Sequence, residues 1–338
     1  MKRYPLIDVA KLYCAVLIVL IHALEIPDGH YWGNLFKSSL SSQAVPFFFI
    51  ASGFFFKKKW DVVQDKRQFV LGYAKHLLAF YAIWVLISSP EIIYQYVTKY
   101  PDGSLFYISA LIFRRLFLAG YGVFWYLLVT AESSLIIGFL LAKKKKRFLY
   151  ILAGIGLFLE LGYYTRTSLP GFEIINKVIY TIFSWNNNFL LKGLPFMSVG
   201  IYFADHCGQC PVKRRHLVIA YCAAFVIHVI VFVGLHHIGI NPSRYTILYP
   251  LQAILLFLIA LSTDKTVLPD RFVRECRPLS SAIYCLHCFC IYYVINPTIG
   301  INANTFLRTA VAVLLSIGVY WVVKKANVRP LIRLITLK

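Results

Sequence analysis

Leu6-Ile7-Asp8-Val9-Ala10-Lys11-Leu12-Tyr13-Cys14-Ala15-Val16-Leu17-Ile18-Val19-Leu20-Ile21-His22-Ala23-Leu24 decides how the rest of the chain is read. The run is long enough to cross a bilayer as a helix, which takes about 20 mainly apolar residues. No small-x-small cleavage site follows it, and Asp8 and Lys11 interrupt it, so it reads as an uncleaved first span rather than a signal peptide. Similar runs recur near 6–24, 41–56, 69–89, 121–142, 148–164, 187–204, 216–235, 245–262, 279–296 and 306–323. A spanning segment must satisfy its own backbone hydrogen bonds, and these runs are too long for barrel strands. The expected fold is therefore all-α: a polytopic integral membrane protein of about ten transmembrane helices, read as one membrane domain over residues 1–338.

Composition agrees. The chain is 59% hydrophobic and 14% charged, with mean hydropathy +0.68, whereas soluble domains carry about 25% charged residues. This excludes an ordinary soluble enzyme, a disordered chain and a small disulfide scaffold. The net charge of +21 is explained by topology. One set of loops gathers 24 of the 35 basic residues: Lys2/Arg3, Lys57 to Arg67, Lys143 to Arg147, Lys213 to Arg215, Lys265 to Arg277 and Lys324 to Lys338. The opposite set holds nine: Lys37, Lys99, Arg114, Arg115, Arg166, Lys177, Lys192, Arg244 and Arg308. Lys- and Arg-rich loops face the cytoplasm, so both termini are expected inside, and the charge is not a nucleic-acid patch.

The stretch 90–120 fits no simple span. Leu105–Phe113 is too short to cross and is read as a re-entrant or interfacial helix on the outer side. Residues 165–186, with Pro170-Gly171 and Trp185-Asn186-Asn187-Asn188, read as a long outer loop. Most of the eight cysteines fall within apolar runs, where a thiol behaves as a small hydrophobe. His206-Cys207-x-x-Cys210 has half of a zinc-site spacing, but no second half follows, so no metal is expected.

Ionisable groups inside spans are costly and mark function by default. Lys11 and His22 are 11 residues apart, about three helical turns and roughly 16 Å along the axis. They share a face, and Asp8, three before Lys11, can pair with it. The alternative is that Asp8 and Lys11 are interfacial anchors and His22 meets outer headgroups. In Val45-Pro46-Phe47-Phe48-Phe49-Ile50-Ala51-Ser52-Gly53-Phe54-Phe55-Phe56 the small residues suit close helix packing. A nucleophilic Ser52 would need an adjacent base. His287, in Tyr284-Cys285-Leu286-His287-Cys288-Phe289-Cys290, reads as a structural or acceptor-side group first, a second catalytic histidine next and a metal ligand a distant third.

Taken in order, these motifs resemble the membrane acyltransferase-3 family. Ile7-Asp8-x-x-Lys11, ten residues and His22 match its basic-residue-to-histidine signature. Val45 to Phe55, Phe124-Trp125-Tyr126-Leu127, Leu194-Pro195-Phe196-x-x-x-Gly200 and Ile283-Tyr284-x-Leu286-His287 resemble its later elements. The likeness covers essentially the whole chain. Lys11 stands where Arg is commoner, Phe124 where many members have His, and Gly72-x-x-Lys75 where the family has Arg-x-x-Arg.

The resemblance implies an integral-membrane O-acyltransferase in the cytoplasmic membrane of a bacterium. Such proteins move acyl groups, usually acetyl, from cytoplasmic acyl-CoA to hydroxyls of extracytoplasmic glycans, lipid-linked sugars or cell-wall polymers. Acyl-CoA is then a donor substrate, and no bound cofactor is expected. The partners are the bilayer, the donor, the acceptor and glycan-assembly proteins. An imidazole titrates in the range a sugar hydroxyl needs from a base, so His22 is the expected base or acyl carrier. Lys11 would meet CoA phosphate or pantetheine carbonyls, with Asp8 orienting it. Lys75 and Arg115 would add charge for donor or acceptor. Trp125 and Tyr126 would stack on a sugar or adenine ring, or belong to the interfacial aromatic belt. Two other classes remain open. One is a transporter or exporter on the same scaffold, expected to show paired broken helices and two-half symmetry. The other is a non-catalytic scaffold for glycan assembly, suggested by Phe124 and Gly72.

Overall fold

The computed structural model describes residues 3–23, 31–99, 104–114, 116–117, 120–165, 172–183, 187–206, 212–238, 248–263, 267–300 and 304–337. Every regular element among them is a helix. In chain order these are α1 Pro5–Ala23, α2 Tyr31–Ser39, α3 Ala44–Val62, α4 Lys66–Ile87, α5 Ser89–Lys99, α6 Leu105–Arg114, α7 Trp125–Ala142, α8 Lys146–Thr165 and α9 Phe172–Phe183. Then follow α10 Leu194–His206, α11 Arg214–His237, α12 Tyr249–Leu261, α13 Asp270–Phe289, α14 Asn296–Thr298, α15 Thr305–Lys325 and α16 Arg329–Thr336.

Seven stretches among the described residues are long and apolar enough to cross a membrane: Pro5–Ala23, Gly33–Val62, Lys66–Ile87, Gly122–Ala142, Arg214–His237, Asp270–Thr298 and Thr305–Lys325. Each contains or overlaps one of the ten expected spans. The other three expected spans are helical too. At 148–164 lies α8, which carries Lys146, Arg147 and Glu160. At 187–204 a π-helical stretch, Phe189–Gly193, leads into α10. At 245–262 lies α12, whose 13 residues fall short of the ~20 a crossing needs.

Two regions differ from the sequence reading. Among the described residues of 90–120 there are two short helices, α5 and α6, rather than one, and neither is long enough to cross. Residues 165–186, read as loop, contain α9. Its apolar residues Ile174, Val178 and Ile182 recur at helical spacing.

The helices gather into two compact units. The first comprises Met1–Ala51 and Asp205–Lys338, the second Ser52–Ala204, and α3 passes from one to the other.

In the first unit α1 packs against α13 and α15. The seam is made of Ala15, Val19 and Ala23 from α1, Ile283, Cys290, Ile291 and Ile295 from α13 and the turns after it, and Ala312 from α15. Its small residues let backbones come close, the main source of helix association where lipid is as apolar as leucine. α13 does not end cleanly: it runs through a π-helical stretch, Cys290–Ile295, into α14. At the Lys-rich end of this unit, Glu275 on α13 accepts hydrogen bonds from Tyr320 Oη (2.6 Å) and Lys324 Nζ (2.6 Å) on α15. Asn304 begins α15 by accepting from the amides of Phe306 (2.9 Å) and Leu307 (3.3 Å).

In the second unit α4 packs against α7, and the π-helical stretch Phe189–Gly193 packs against α7 and α8. Asn188 starts that stretch, its Oδ1 accepting from the amides of Leu190 and Leu191, both at 3.0 Å. Gly193 lies hard against Ser133 and Val129, and Gly53 against the backbone of Met197, leaving no room for a Cβ at either position. Glu160 on α8 forms a buried ion pair with Lys192. Asp65 caps α4, accepting from the Gln68 amide at 2.8 Å.

Candidate active site

The first unit carries a polar seam inside its apolar core. At one end, Lys11 on α1 is half-buried and lies within electrostatic reach of Asp8 and of Arg277 on α13. Asp8 makes its ion pair with Arg3 (3.6 Å). Arg3 precedes the helix and pairs with Asp8 in its first turn, and Asp8 also acts electrostatically on Lys11, one turn on.

At the other end, His22 is half-buried. Its ring faces His287, with centroids 5.3 Å apart and planes tilted by 46°. Lys11 feels the charge of Arg277 and, 11 and 10 residues further on, the ring of His22 faces that of His287, so α1 and α13 run in the same direction.

His287 is fully buried. Its Nδ1 lies 2.9 Å from the carbonyl oxygens of both Ile283 and Tyr284, one turn back on α13. Carbonyls only accept, so Nδ1 carries the proton and donates. The neutral ring then presents Nε2 with a free lone pair. That Nε2 lies 3.4 Å from the Cys288 thiol, and the thiol is the donor.

Arg308 on α15 closes the cluster, with only 1% of its surface exposed. Its Nη1 donates to the carbonyl of Ala23 (2.8 Å), one residue past His22. Its Nη2 donates to Asn296 Oδ1 (2.7 Å), beyond the π-helical stretch that follows His287. One guanidinium thus ties together the ends of the two segments that carry the histidines.

The second unit holds three other expected site residues. Lys75 is exposed on α4. Trp125 and Tyr126 open α7 and are half-buried. Tyr126 Oη and Ser52 Oγ are hydrogen-bonded at 2.7 Å, so Ser52 pairs with a phenol rather than with the base a serine nucleophile requires. Phe124, where the family often has His, stacks on Trp84 with centroids 5.2 Å apart. Arg115, Cys207 and Cys210 lie outside the described residues.

Sequence reasoning missed Arg308, Asn296 and the Glu160–Lys192 pair. The charge pattern places Arg308 and Lys192 among the loop cations, although both fall inside expected spans. A charge within an apolar run was the signal, and the structure places each at a buried polar contact.

The family assignment follows. The model of the acyltransferase-3 family, described as an acyltransferase domain, matches residues 4–325. The chain belongs to this family, and its apolar helices make it a multi-pass membrane protein. It is also similar to an amino-acid racemase from Enterococcus faecalis, with 24% identity over 222 residues, 60% of this chain and 28% of that protein. The chain therefore spans well under half the length of that relative. No solved structure matches the chain.

Proposed function

We propose that the protein transfers a short acyl group, acetyl in the first instance, from cytoplasmic acyl-CoA to a hydroxyl of an extracytoplasmic glycan, lipid-linked sugar or cell-wall polymer. The approach of His22 to His287 at 5.3 Å carries this reading. Acyl transfer needs a base for the attacking hydroxyl and an acid for the leaving sulfur, and an imidazole serves both, as base when neutral and as acid once it has taken the proton. In this scheme His22 takes the acceptor's proton as its oxygen attacks the acyl carbonyl. The carbon–sulfur bond to CoA breaks, and a histidine returns the proton to the thiolate. Lys11, near the Lys-rich end of α1, is the proposed contact for the donor's phosphates or pantetheine carbonyls, with Asp8 moderating its charge. Lys75, Trp125 and Tyr126, and Arg115, are proposed to contribute to substrate recognition. The proposed setting is a bacterial cytoplasmic membrane.

A second reading has its own support. In the first unit the π-helical stretch Cys290–Ile295 interrupts a helix, and in the second the π-helical stretch Phe189–Gly193 opens α10. Interrupted helices with buried charge, such as Lys192 with Glu160, are what a solute carrier uses at its binding site.

The test uses inverted membrane vesicles supplied with radiolabelled acetyl-CoA. Acyltransfer predicts label retained in lumenal glycan or lipid. It also predicts a fall of about 10²–10⁴-fold in His22→Ala, the usual worth of a general base. Vesicles that retain no label from acetyl-, propionyl- or butyryl-CoA, yet accumulate a labelled solute, would establish the carrier instead.

A further inference from the structure

Donor and acceptor in the proposed reaction approach from opposite faces of the membrane. A covalent carrier inside the protein would let one leave before the other arrives.

The Cys288–His287 pair has the geometry of such a carrier. A working nucleophile needs a base in hydrogen-bond reach and a third group that fixes the base. The carbonyls of Ile283 and Tyr284 hold His287 Nδ1, each at 2.9 Å. This leaves Nε2 as an acceptor 3.4 Å from Cys288 Sγ. The thiol is half-buried, so a substrate can reach it, while the base is fully buried. Other described cysteines are engaged differently: Cys276 Sγ donates to Phe272 O (3.4 Å), and Cys290 Sγ pairs with Ser316 Oγ (3.7 Å). Beside the pair stands His22, its ring 5.3 Å from that of His287, as the base for a second half-reaction.

We propose that Cys288 is the acyl-carrying nucleophile of this site, activated by His287 and unloaded by an acceptor that His22 deprotonates. The proposal rests on the acyltransferase reading. In the first half-reaction the Cys288 proton passes to His287 Nε2, and Sγ attacks the thioester carbonyl of acyl-CoA. The carbon–sulfur bond to CoA breaks, and the departing thiolate takes the proton from His287. The products are free CoA and an acyl-Cys288 thioester. In the second, the acceptor oxygen loses its proton to His22 and attacks that thioester. The ester forms, and Cys288 leaves as a thiolate that recovers the proton by way of the histidines. One thioester is exchanged for another of similar energy, so the acyl group stays activated until the acceptor arrives.

The experiment traps the intermediate. Vesicles bearing His22→Ala, in which the second half-reaction is blocked, are given radiolabelled acetyl-CoA and digested for peptide analysis. Label is expected on the peptide containing Cys288, released by neutral hydroxylamine, lost in His22→Ala/Cys288→Ala and kept in His22→Ala/Cys222→Ala. In otherwise wild-type protein, Cys288→Ala is expected to slow transfer about a hundredfold. A readout independent of turnover is alkylation of Cys288 by N-ethylmaleimide, expected to slow when His287 becomes Gln. Transfer by Cys288→Ala within about twofold of wild type, or equal alkylation with and without His287, overturns the relay and leaves the acyltransferase reading standing. Wild-type vesicles that consume no acyl-CoA overturn both.

Discussion

Arg308 shows how one residue organises the candidate site. A guanidinium is a planar fork, so it can serve two acceptors at once, here Ala23 O and Asn296 Oδ1. Arg308→Ala leaves the buried Ala23 carbonyl without that donor, at about 1–3 kcal/mol, and also removes the part-buried bond to Asn296. The unfolding temperature in detergent is expected to drop accordingly. Arg308→Lys keeps the charge but cannot span both acceptors, so it should recover only part of the loss. Full recovery would show that charge alone matters at this position. The sequence made His22, Lys11 and Asp8 legible because ionisable groups at three-turn spacing stand out in an apolar run. It did not show that Asp8 would pair with Arg3, because helical spacing favours Lys11 and says nothing about a residue lying before the helix. Nor did it fix His287. Its role depends on which nitrogen the Ile283 and Tyr284 carbonyls occupy, and that is settled by the ring's orientation in the fold.

At the scale of elements, the π-helical stretches and glycine contacts set how closely helices approach. Gly193 ends the stretch Phe189–Gly193 against Ser133 and Val129, with no room for a methyl group. Gly193→Ala is expected to destabilise the protein by about 1–3 kcal/mol, the usual cost of overpacking. Gly72 on α4 has open space around it. Gly72→Ala is therefore expected to be neutral or stabilising by up to about 1 kcal/mol, since alanine is the better helix former. Thermal unfolding of the two variants side by side checks the contrast, and equal effects would contradict this account of the packing. The long helices were legible because uninterrupted apolar runs admit few other structures. α9 was not: its helical period is short and is flanked by Pro170-Gly171 and an asparagine cluster, which read as loop. The π-helical stretches were invisible as well, because an extra residue in one turn leaves no mark on the apolar pattern.

For the whole molecule, the net charge of +21 gathers mostly in the loops between apolar helices, and a few polar groups are buried within the helical core. The family was legible in the sequence because its motifs occur in order along the whole chain, and the family match over residues 4–325 agrees. The partition into two units was not legible, because it depends on which helices pack together rather than on any change in composition. The central claim is that His22 and His287 serve one reaction. The most direct test is a double-mutant cycle on acetyl transfer in inverted vesicles, with His22→Ala, His287→Ala and both together. Groups acting in one reaction sequence are strongly non-additive. The account predicts that each single variant loses about a hundredfold or more and that the double variant is hardly slower than the worse single one. Losses that multiply, or a His287→Ala variant as fast as the parent, would contradict it.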